Sequence, residues 1–387
     1  MYRIGQEEID EVIKVIESKQ LFKINNGLKE TENTENKLKT KFNCEHAILM
    51  TSGHAALTSA LVALGIGPGD QVIVPAYTYI ATAMVVVGVG AIPVLAEVDE
   101  TLTIDPVDVE RKITKNTKAI IPVHIQGFPC NMDAIIKIAN KYNLAVIEDA
   151  CQADGGSYKG KRLGTIGNAG ALSFNYFKVI SCGEGGALLT NDKGVFERAL
   201  IYHDSSAVAF FGDQLTGVEE KVFCGNEYRT NEISSAILRK QLDRLDGILE
   251  DLRKFKKRFI KDLDGVYEFI KSNDIDGDCA TTLAIRFDSY EKVKEFCGKE
   301  GVNGWTPIET GKHVYKNWTP IMNKAGACHP ALDPFKMQAN NDIIPDYKED
   351  SCPITLDHLS KTAYIGINPD WTEEEYQEKL KALKNAR

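Results

Sequence analysis

Short apolar runs alternate with segments of helical periodicity through the first half of the chain. Residues 6–18 place Ile9, Val12, Ile13 and Ile16 on one face and predict an amphipathic helix. The apolar runs that follow have the length of buried strands, and helix-length segments separate them. This alternation predicts a mostly parallel sheet covered by helices on both faces. The predicted strands are residues 47–50, 71–75, 92–95, 119–123, 144–149 and 187–190, with one more near residue 171, ahead of Lys178.

The second half of the chain has a different pattern. A loop of mixed composition, residues 207–224, precedes a long helix predicted from about residue 231 to 263. Beyond that helix, strands and helices again mix in short pieces, which predicts a small α/β domain. We therefore predict a large domain over residues 1–245 and a small C-terminal domain over residues 246–387. The predicted elements of the small domain are strands at 283–287 and 364–368 and helices at 291–299 and 373–384.

Composition narrows the classes of function. The formal net charge is -9 and no basic cluster stands out, which argues against nucleic acid or an anionic membrane as a partner. No apolar run has the length of a membrane span, and residues 1–8 lack the apolar core of a signal peptide. Nine scattered cysteines without a CxxC pair favour reduced thiols over a disulfide framework or a structural zinc site. We expect a cytoplasmic protein with no metal.

Polar or aromatic groups follow five of the predicted strands. Because the carboxyl ends of parallel strands meet at one edge of a sheet, where α/β proteins bind their ligands, these groups are expected to line one pocket. The five segments are residues 51–54, 75–79, 124–127, 149–152 and the turn from 178 to 186.

Lys178 lies between an apolar strand and a glycine-rich turn. No acidic residue occupies the four positions before it. A lysine in such a setting loses hydration, its pKa falls, and its amine becomes a usable nucleophile toward carbonyl groups. Taken alone, a surface lysine at the end of a buried strand is the simpler interpretation, so the other segments decide.

Two segments suggest groups of opposite charge in a ligand. Residues 51–54 end a strand and open a helix, whose free N–H groups and dipole favour an anion, although Ser52 could be an ordinary N-cap. Ser173 could add a hydroxyl to the same anion. Asp149 emerges from a buried strand, where a cationic partner such as a protonated ring nitrogen would offset the cost of its charge. An N-cap role for Asp149 is an equally good interpretation.

The remaining candidates are weaker when taken singly. Tyr79 can present a flat ring to the pocket, and Gln152 lies about one helical turn after Asp149. Together the segments describe a phosphate held at a helix start, a ring nitrogen held by a carboxylate, and a lysine within reach of an aldehyde. These are the requirements of pyridoxal 5'-phosphate, whose electron-sink chemistry needs a group such as Asp149.

The chain resembles the DegT/DnrJ/EryC1/StrS sugar aminotransferases, which have the PLP fold type I. The likeness runs from about residue 4 to the C-terminus, and the spacing from Ser173 through Lys178 to Gly186 is its most specific part. The resemblance implies a seven-stranded-type sheet in the large domain. The matching stretches are residues 52–57, 67–75, 148–153, 173–186 and 225–229.

The resemblance also implies roles for individual residues. Lys178 would form the internal aldimine and shuttle the proton, and Asp149 would pair with the ring nitrogen. The remaining cofactor contacts would come from Tyr79 on the ring face, Gln152 near the ring hydroxyl, and Ser52, Gly53, His54 and Ser173 at the phosphate. The resemblance further implies a homodimer whose active sites are completed across the interface, and substrate contacts from Phe22, Tyr315 and Trp318.

Two residues depart from the family pattern. His54 stands where Thr or Ser is usual, and Glu227 stands where an Asn normally crosses to the phosphate of the neighbouring subunit. A carboxylate there would repel the phosphate. The sequence suggests two solutions: a charged His54 bridges the phosphate and Glu227, or Asn226 takes over after a shift of one residue.

The predicted function is an aminotransferase of amino-sugar biosynthesis. Glutamate or glutamine would donate the amino group through a pyridoxamine phosphate form, and the acceptor would be the ketone of a nucleotide-linked sugar or of a cyclitol. Lys312 and Lys316 are candidates to meet a nucleotide, although a solvated surface is the simpler expectation for both. Alternatives are an aromatising or dehydrating PLP enzyme of the same family, and a non-catalytic regulator.

Overall fold

The computed structural model describes residues 3–207 and 217–387 of the chain. Side-chain N-caps begin many of its helices; Asn231, for example, accepts a hydrogen bond from the Ser234 amide at 3.0 Å. The helices are α1 Gln6–Ser18, α2 Glu30–Phe42, α3 Gly53–Ala63, α4 Ala81–Gly88, α5 Pro106–Lys112, α6 Met132–Tyr142, α7 Lys193–His203, α8 Glu232–Asp262, α9 Tyr290–Gly298, α10 Thr319–Met322, α11 Pro353–Ser360 and α12 Glu373–Asn385.

The strands are short and mostly buried, as expected for a sheet covered on both faces. They are β1 His46–Met50, β2 Gln71–Pro75, β3 Ile92–Ala96, β4 Thr117–Ile120, β5 Ala145–Asp149, β6 Ser157–Tyr158, β7 Lys161–Arg162, β8 Ala169–Ser173, β9 Gly186–Thr190, β10 Glu268–Phe269, β11 Thr282–Arg286, β12 Gly304–Trp305 and β13 Thr362–Gly366.

Seven strands form the large sheet in the order β1-β9-β8-β5-β4-β2-β3. Strand β9 runs antiparallel to both of its neighbours, and the other four pairings are parallel. This direction of β9 brings Gly186 against the start of α3. A Cβ atom at Gly186 would lie 2.2 Å from the carbonyl carbon of Ser52, so the close approach requires glycine. The mostly parallel seven-stranded sheet predicted from the sequence is confirmed.

A second, four-stranded sheet has the order β10-β11-β13-β12 and is antiparallel throughout. It contains the two strands predicted for the small C-terminal domain. The predicted boundary between residues 245 and 246 falls inside α8, which continues unbroken from Glu232 to Asp262, and the division remains a prediction. Part of the predicted loop at 207–224, residues 208–216, lies outside the described residues.

Strand β4 ends at Ile120, three residues before the predicted end. Pro122 explains the difference, because proline has no N–H to donate to a neighbouring strand. Its carbonyl oxygen still accepts a hydrogen bond from the Asp149 amide at 2.9 Å, which fixes the end of β5. Among residues 3–207 and 217–387, no helix is both long and apolar enough to cross a membrane.

Helix α1 has the predicted periodicity but the opposite orientation. Its isoleucines Ile9, Ile13 and Ile16 are exposed, whereas Glu8 and Glu11 are buried against α8. Arg244 and Arg239 meet these two acids at 3.0 and 2.9 Å. The sequence pattern identified the helix, but arginines 236 and 228 residues away decide which face points inward.

The buried acids between α1, α2 and α8 form what we call the acid layer: Glu8, Glu11, Glu30 and Glu232. Each has hydrogen-bonding partners for its carboxylate. Glu30 pairs with Arg239 at 2.6 Å, and Glu232 accepts from the amides of Glu30 and Thr31 and from the Thr31 hydroxyl. Burial alone would raise the pKa of Glu8, but hydrogen bonds from Arg244, Gly5 and Gln241 outweigh burial and lower the pKa. Every carboxylate of the acid layer therefore has hydrogen-bonding partners.

Candidate active site

A cavity of about 780 Å³ opens at the edge of the large sheet where β1, β2, β4, β5 and β8 end. This volume suits a cofactor-sized ligand. All five segments predicted to converge contribute to its wall, so the prediction of a single pocket is confirmed. Of the predicted site residues, Ser52, Gly53, His54, Tyr79, Asp149, Gln152, Ser173 and Lys178 line it.

The first turn of α3 forms one end of the cavity. Ser52 is its N-cap and accepts from the Ala55 amide at 3.1 Å, while the amides of Gly53 and His54 belong to the part of a helix that has no intrahelical partner. A Cβ atom at Gly53 would lie 2.5 Å from Cys151 Sγ and 3.0 Å from Ser173 Cβ. Only glycine leaves this space open beside the helix start, where an anion is favoured.

His54 is the second residue of α3, and its side chain is partly exposed to solvent at the cavity wall. Partial desolvation of the ring lowers its pKa, which favours the neutral imidazole. A charged His54 that bridges the phosphate and Glu227, one of the two alternatives from the sequence, stays a prediction, because it requires both of those groups beside the ring. A neutral imidazole can still donate or accept one hydrogen bond at the helix start.

Asp149 ends β5 with its carboxylate in the cavity wall. Its Oδ2 accepts from the Thr82 hydroxyl at 2.7 Å, and its Oδ1 accepts from the Cys151 amide at 3.1 Å. These contacts fix the side chain and leave room for a further donor, because an ionised carboxylate has about four lone-pair sites. The N-cap alternative for Asp149 is not realised, since no helix begins at residue 150.

Glu148, one residue earlier, projects to the other face of β5. Its carboxylate is fully buried and accepts from the amides of Gly164, Ile166 and Gly167. His124 approaches the same carboxylate at 3.1 Å, and its Nδ1 accepts from the Cys130 amide, so Nε2 is the nitrogen that carries the proton. Glu148 therefore organises the loops behind the cavity and does not face it.

Tyr79 stands at the cavity mouth with two basic neighbours. The His313 ring centroid lies 5.7 Å from that of Tyr79, and Lys312 Nζ lies 5.3 Å from the Tyr79 centroid. Burial, with the charges of Lys312 and Lys178, lowers the pKa of His313 to about 4, so this ring is neutral. Backbone bonds from Thr78 to His313 and from Ile80 to Lys312, both 3.0 Å, hold the two segments together.

Lys178 lies in the turn between β8 and β9 and projects into the cavity. In residues 3–207 and 217–387 its ammonium has neither a hydrogen bond nor an ion pair, and it is therefore available to a ligand. Gln152 points toward the same space but uses its carbonyl oxygen to accept from the Gln126 amide at 3.1 Å. Its NH₂ group remains as the donor that it can offer.

Sequence reasoning missed Asp154, which also lines the cavity and is fully buried. Among the described residues, neither of its carboxylate oxygens has a hydrogen-bond partner within 3.5 Å, and the Ser173 backbone is only a weaker polar neighbour. Burial raises its pKa well above the usual range, with the Asp149 charge adding to the effect and Lys178 and the Ser173 amide opposing it. The only sequence signal was its position in the loop that follows Asp149.

Two predicted substrate contacts do not reach the cavity. Tyr315 and Trp318 are fully buried in the hydrophobic core. The Tyr315 hydroxyl donates to the Glu349 carbonyl at 2.5 Å, and the Trp318 indole donates to the Lys312 carbonyl at 3.0 Å. Neither side chain lines the cavity; their hydrogen bonds fix the backbone that carries Lys312 and His313, and a substrate contact by either stays a prediction.

Three other predicted site residues lie away from the cavity of their own chain. Phe22 is half exposed and packs on the Arg229 guanidinium, 4.9 Å from ring to carbon. Glu227 pairs with Arg229 at 2.6 Å, and Asn226 donates to the Tyr202 hydroxyl at 2.6 Å. Their roles across a subunit interface remain predictions.

The cavity fits pyridoxal phosphate in three respects. The glycine-bounded helix start offers free amides to a phosphate, as P-loop and dinucleotide sites do. Asp149 offers a fixed, buried carboxylate to a cationic ring nitrogen, and Lys178 offers an unpaired amine. No group in this donor set conflicts with the cofactor.

Comparison with protein families gives one match that covers most of the chain. The profile described as the DegT/DnrJ/EryC1/StrS aminotransferase family matches residues 2–304. A spore coat polysaccharide biosynthesis protein, SpsC, of Bacillus subtilis is 32% identical over 99% of this chain and 95% of its own length. A GDP-perosamine synthase of Escherichia coli O157:H7 is 37% identical over 62% of this chain and 64% of its own.

A further relative is named a putative L-glutamine:3-amino-2,3-dideoxy-scyllo-inosose aminotransferase, from Micromonospora echinospora. It is 38% identical over 63% of this chain and 58% of its own length. Among solved structures, an aminotransferase of Psychrobacter cryohalolentis is similar over 100% of this chain and 98% of its own, with 28% identity and a TM-score of 0.82. The S. venezuelae protein DesV, solved in complex with a ketimine intermediate, is similar over 98% and 94% with 27% identity and a TM-score of 0.77.

Proposed function

Since the chain belongs to the DegT/DnrJ/EryC1/StrS aminotransferase family and has the PLP fold type I, we propose that it transfers an amino group from glutamate or glutamine to the ketone of a sugar or cyclitol. Pyridoxal 5'-phosphate is its cofactor. The observation that carries the proposal is the shared cavity of Lys178, Asp149 and the open start of α3. These groups supply the amine, the counter-charge and the anion site that the chemistry needs.

Bound pyridoxal phosphate supplies an aldehyde that condenses with amines and a ring that withdraws electrons from the neighbouring carbon. The residues of the chain do the rest. Lys178 Nζ would take the proton from the α-carbon of the amino donor and return a proton on the way to product. The Asp149 carboxylate, held by Thr82 and the Cys151 amide, would accept a hydrogen bond from the ring nitrogen. The amides of Gly53 and His54 and the Ser173 hydroxyl would hold the phosphate.

The proposed acceptor is a polyhydroxylated ketone. One relative is named a synthase of GDP-perosamine, a nucleotide-linked amino sugar, and another a putative aminotransferase of an amino-scyllo-inosose, a cyclitol ketone. Side chains able to bind hydroxyl groups line the cavity, among them Gln126, Thr281, Thr282 and Asn175. Lys312 at the mouth could bind an anionic group of a nucleotide-linked sugar, whereas Lys316 is exposed outside the cavity.

We propose that the protein is a homodimer. The exposed isoleucines of α1 and the exposed Phe22 give an apolar surface that a second copy would cover. The segment of residues 225–229 would then carry Asn226 and Glu227 toward the neighbouring phosphate. We also propose a cytoplasmic location, because all nine cysteines are free thiols.

Two half-reactions test this function. The purified protein with pyridoxal phosphate should show the visible absorption band of a lysine-bound cofactor. Glutamate or glutamine should bleach the band, and a keto-sugar or keto-cyclitol should restore it. Borohydride reduction followed by peptide mapping should label Lys178. Labelling at another residue, or a band that no amino donor bleaches, would contradict the proposal.

A further inference from the structure

Gln126 adopts a backbone conformation that is rare for a residue with a side chain. It lies in the short turn of residues 125–127 that follows β4, and it lines the cavity. Its φ of 52° and ψ of 20° place it in the left-handed region. Such a residue costs free energy and persists where its surroundings hold it in place, most often at functional sites. The contacts of Gln126 show what holds it.

The segment that leads into β11 of the second sheet supplies these contacts. The Thr281 hydroxyl donates to the carbonyl oxygen of Gln126 and the Thr282 hydroxyl donates to its Oε1, both at 2.9 Å. Both threonines are buried and line the cavity. The Cys279 amide also donates to the Gly127 carbonyl at 3.1 Å. This segment therefore holds the turn at three points.

The two segments pack too closely to move independently. A Cβ atom at Gly127 would lie 2.6 Å from the Cβ atom of Cys279, so there is no room for a side chain at this position. Ala280 also has a positive φ, of 61°, and its amide donates to the Asp278 carboxylate at 2.6 Å. Each of the two packed segments thus contains a left-handed residue other than glycine, and hydrogen bonds hold both of these residues.

The turn in turn holds Gln152. The Gln126 N–H donates to Gln152 Oε1 at 3.1 Å. Since a backbone amide can only donate, the atom of Gln152 at this contact must be its oxygen, and the orientation of the side-chain amide follows. The Gln152 NH₂ group then remains as a donor, because it has no acceptor in residues 3–207 and 217–387.

We propose that Gln126 is a positioning residue: held by Thr281 and Thr282, it fixes Gln152 so that the NH₂ group donates to the ring oxygen of bound pyridoxal phosphate. The inference rests on the proposed function, since it needs that cofactor in this cavity. Without these contacts the Gln152 amide is free to turn, and its oxygen would then oppose another acceptor. The second sheet thereby acts on the cofactor through two hydroxyl groups.

A donor at the ring oxygen has a measurable effect. When the cofactor is joined to Lys178, the negative charge of the ring oxygen favours a proton on the nitrogen of that bond. The Gln152 NH₂ group withdraws part of this charge, which lowers the pKa of the nitrogen. Loss of the donor should therefore raise the midpoint of the pH titration by about one pH unit, the size expected for a hydrogen bond to a charged group.

The test follows the visible band of the holoenzyme against pH. Gln152→Ala gives the full shift for loss of the donor. The Val pair, Thr281→Val with Thr282→Val, removes both hydroxyls and should raise the midpoint by a similar amount. Serine at the same two positions keeps the hydroxyls and should restore the wild-type midpoint. The Val pair combined with Gln152→Ala should add no further shift, because both changes remove the same donor.

Thr362→Val is the matched control. Thr362 is a buried threonine of the same sheet, and its hydroxyl donates to the His358 carbonyl at 2.7 Å outside the cavity wall, so the variant should keep the wild-type midpoint. If the Val pair does not fold, substitutions at Gln126 decide. Gln126→Gly tolerates the left-handed turn and should keep the midpoint, whereas the β-branched side chain in Gln126→Val disfavours the turn and should raise it.

Three results would overturn the proposal. A wild-type midpoint in the Val pair or in Gln126→Val, beside a raised midpoint in Gln152→Ala, would show that Gln126 does not position Gln152. A shift in the Val pair that adds in full to that of Gln152→Ala would show the same. An unshifted midpoint in Gln152→Ala would remove the donor itself. A wild type without the band of a Lys178-bound cofactor would instead overturn the proposed function.

Discussion

Two regions of this protein bury carboxylates, and they treat them in opposite ways. In the acid layer between α1, α2 and α8, every acid meets an arginine or several backbone amides; Glu232 accepts three hydrogen bonds and Glu30 pairs with Arg239. At the cavity, Asp149 has two donors, whereas Asp154 has none within 3.5 Å in the part of the chain that the structure describes. Satisfied acids hold helices together, whereas acids with unused capacity remain free to meet a ligand or a proton.

The difference has a physical basis. A buried charge with all of its partners in place contributes to a single fixed structure, and removing one partner is costly. A buried acid that lacks partners lowers the stability of the empty protein, and such a cost persists where function needs it. The two regions therefore predict different consequences of mutation.

The largest effect is expected at Lys178. Replacing it with alanine removes the amine that the proposed mechanism uses to move the proton, and amino transfer should fall by about 10² to 10⁴-fold. Steady-state kinetics with glutamate or glutamine measures the loss. Lys115→Ala, at an exposed lysine outside the cavity, should leave the rate unchanged. Full activity in Lys178→Ala would show that this cavity is not the catalytic site.

The next effect belongs to the acid layer. Glu232→Gln keeps the shape of the side chain but replaces one accepting oxygen with an NH₂ group, which cannot accept from the backbone amides. The variant should lower the free energy of unfolding by about 2 kcal/mol. Urea unfolding measures it, with exposed Glu17→Gln as a control that should stay within about 0.5 kcal/mol. The rate per folded molecule should not change. A loss of activity without a loss of stability would break the distinction between the two regions.

The pH dependence of stability should have opposite signs in the two regions. The folded-state pKa of Asp154 is raised, so its folded form binds more protons, and stability present at low pH is lost as the pH rises through that value. The folded-state pKa of Glu8 is lowered, so its contribution is present above the unfolded value and is lost as the pH falls. Urea unfolding of apoenzyme across pH should show both slopes.

One variant tests each of the two slopes of stability against pH. Asp154→Asn should remove the loss toward higher pH, and Glu8→Gln should remove the loss toward lower pH. If both variants changed the same side of the profile, the two regions would not differ in the way described.

The smallest effect is expected at Glu227. Its carboxylate already pairs with Arg229 at 2.6 Å, and its side chain is half exposed, so Glu227→Gln should change cofactor affinity by less than about threefold. Titration of apoenzyme with pyridoxal phosphate measures this. Binding tighter by tenfold or more would instead show that Glu227 repels the phosphate.

The sheet and its pocket could be predicted because both follow from local patterns. Buried parallel strands appear in the sequence as apolar runs, and strand ends converge by topology. The convergence of Ser52, Asp149 and Lys178 could therefore be predicted, whereas their roles needed the combination of segments and the family resemblance. The facing of α1 could not be predicted, because Arg239 and Arg244 are distant in the sequence. When these arginines are left out of account, the spacing of Ile9 and Ile13 predicts that the isoleucine face of α1 points toward the core.

Individual side chains were harder to predict than the pocket. Tyr315 and Trp318 lie next to Lys312 and His313 in sequence, but their size favours burial, and their polar atoms find backbone partners. Asp154 was missed because it stands out only as a buried carboxylate without a close hydrogen-bond partner in the described residues. This feature depends on tertiary packing and leaves no pattern in the sequence.

The contact between α2 and α8 has a consequence for folding during synthesis of the chain. The Glu30 amide and the Glu232 carboxylate that closes over it are separated by 202 positions. At a ribosomal rate of about 5 to 20 residues per second, roughly 10 to 40 seconds pass between the emergence of the two. During that interval the amino-terminal helices expose acids and isoleucines with no arginine to orient them, so their final docking is a late event in biosynthesis.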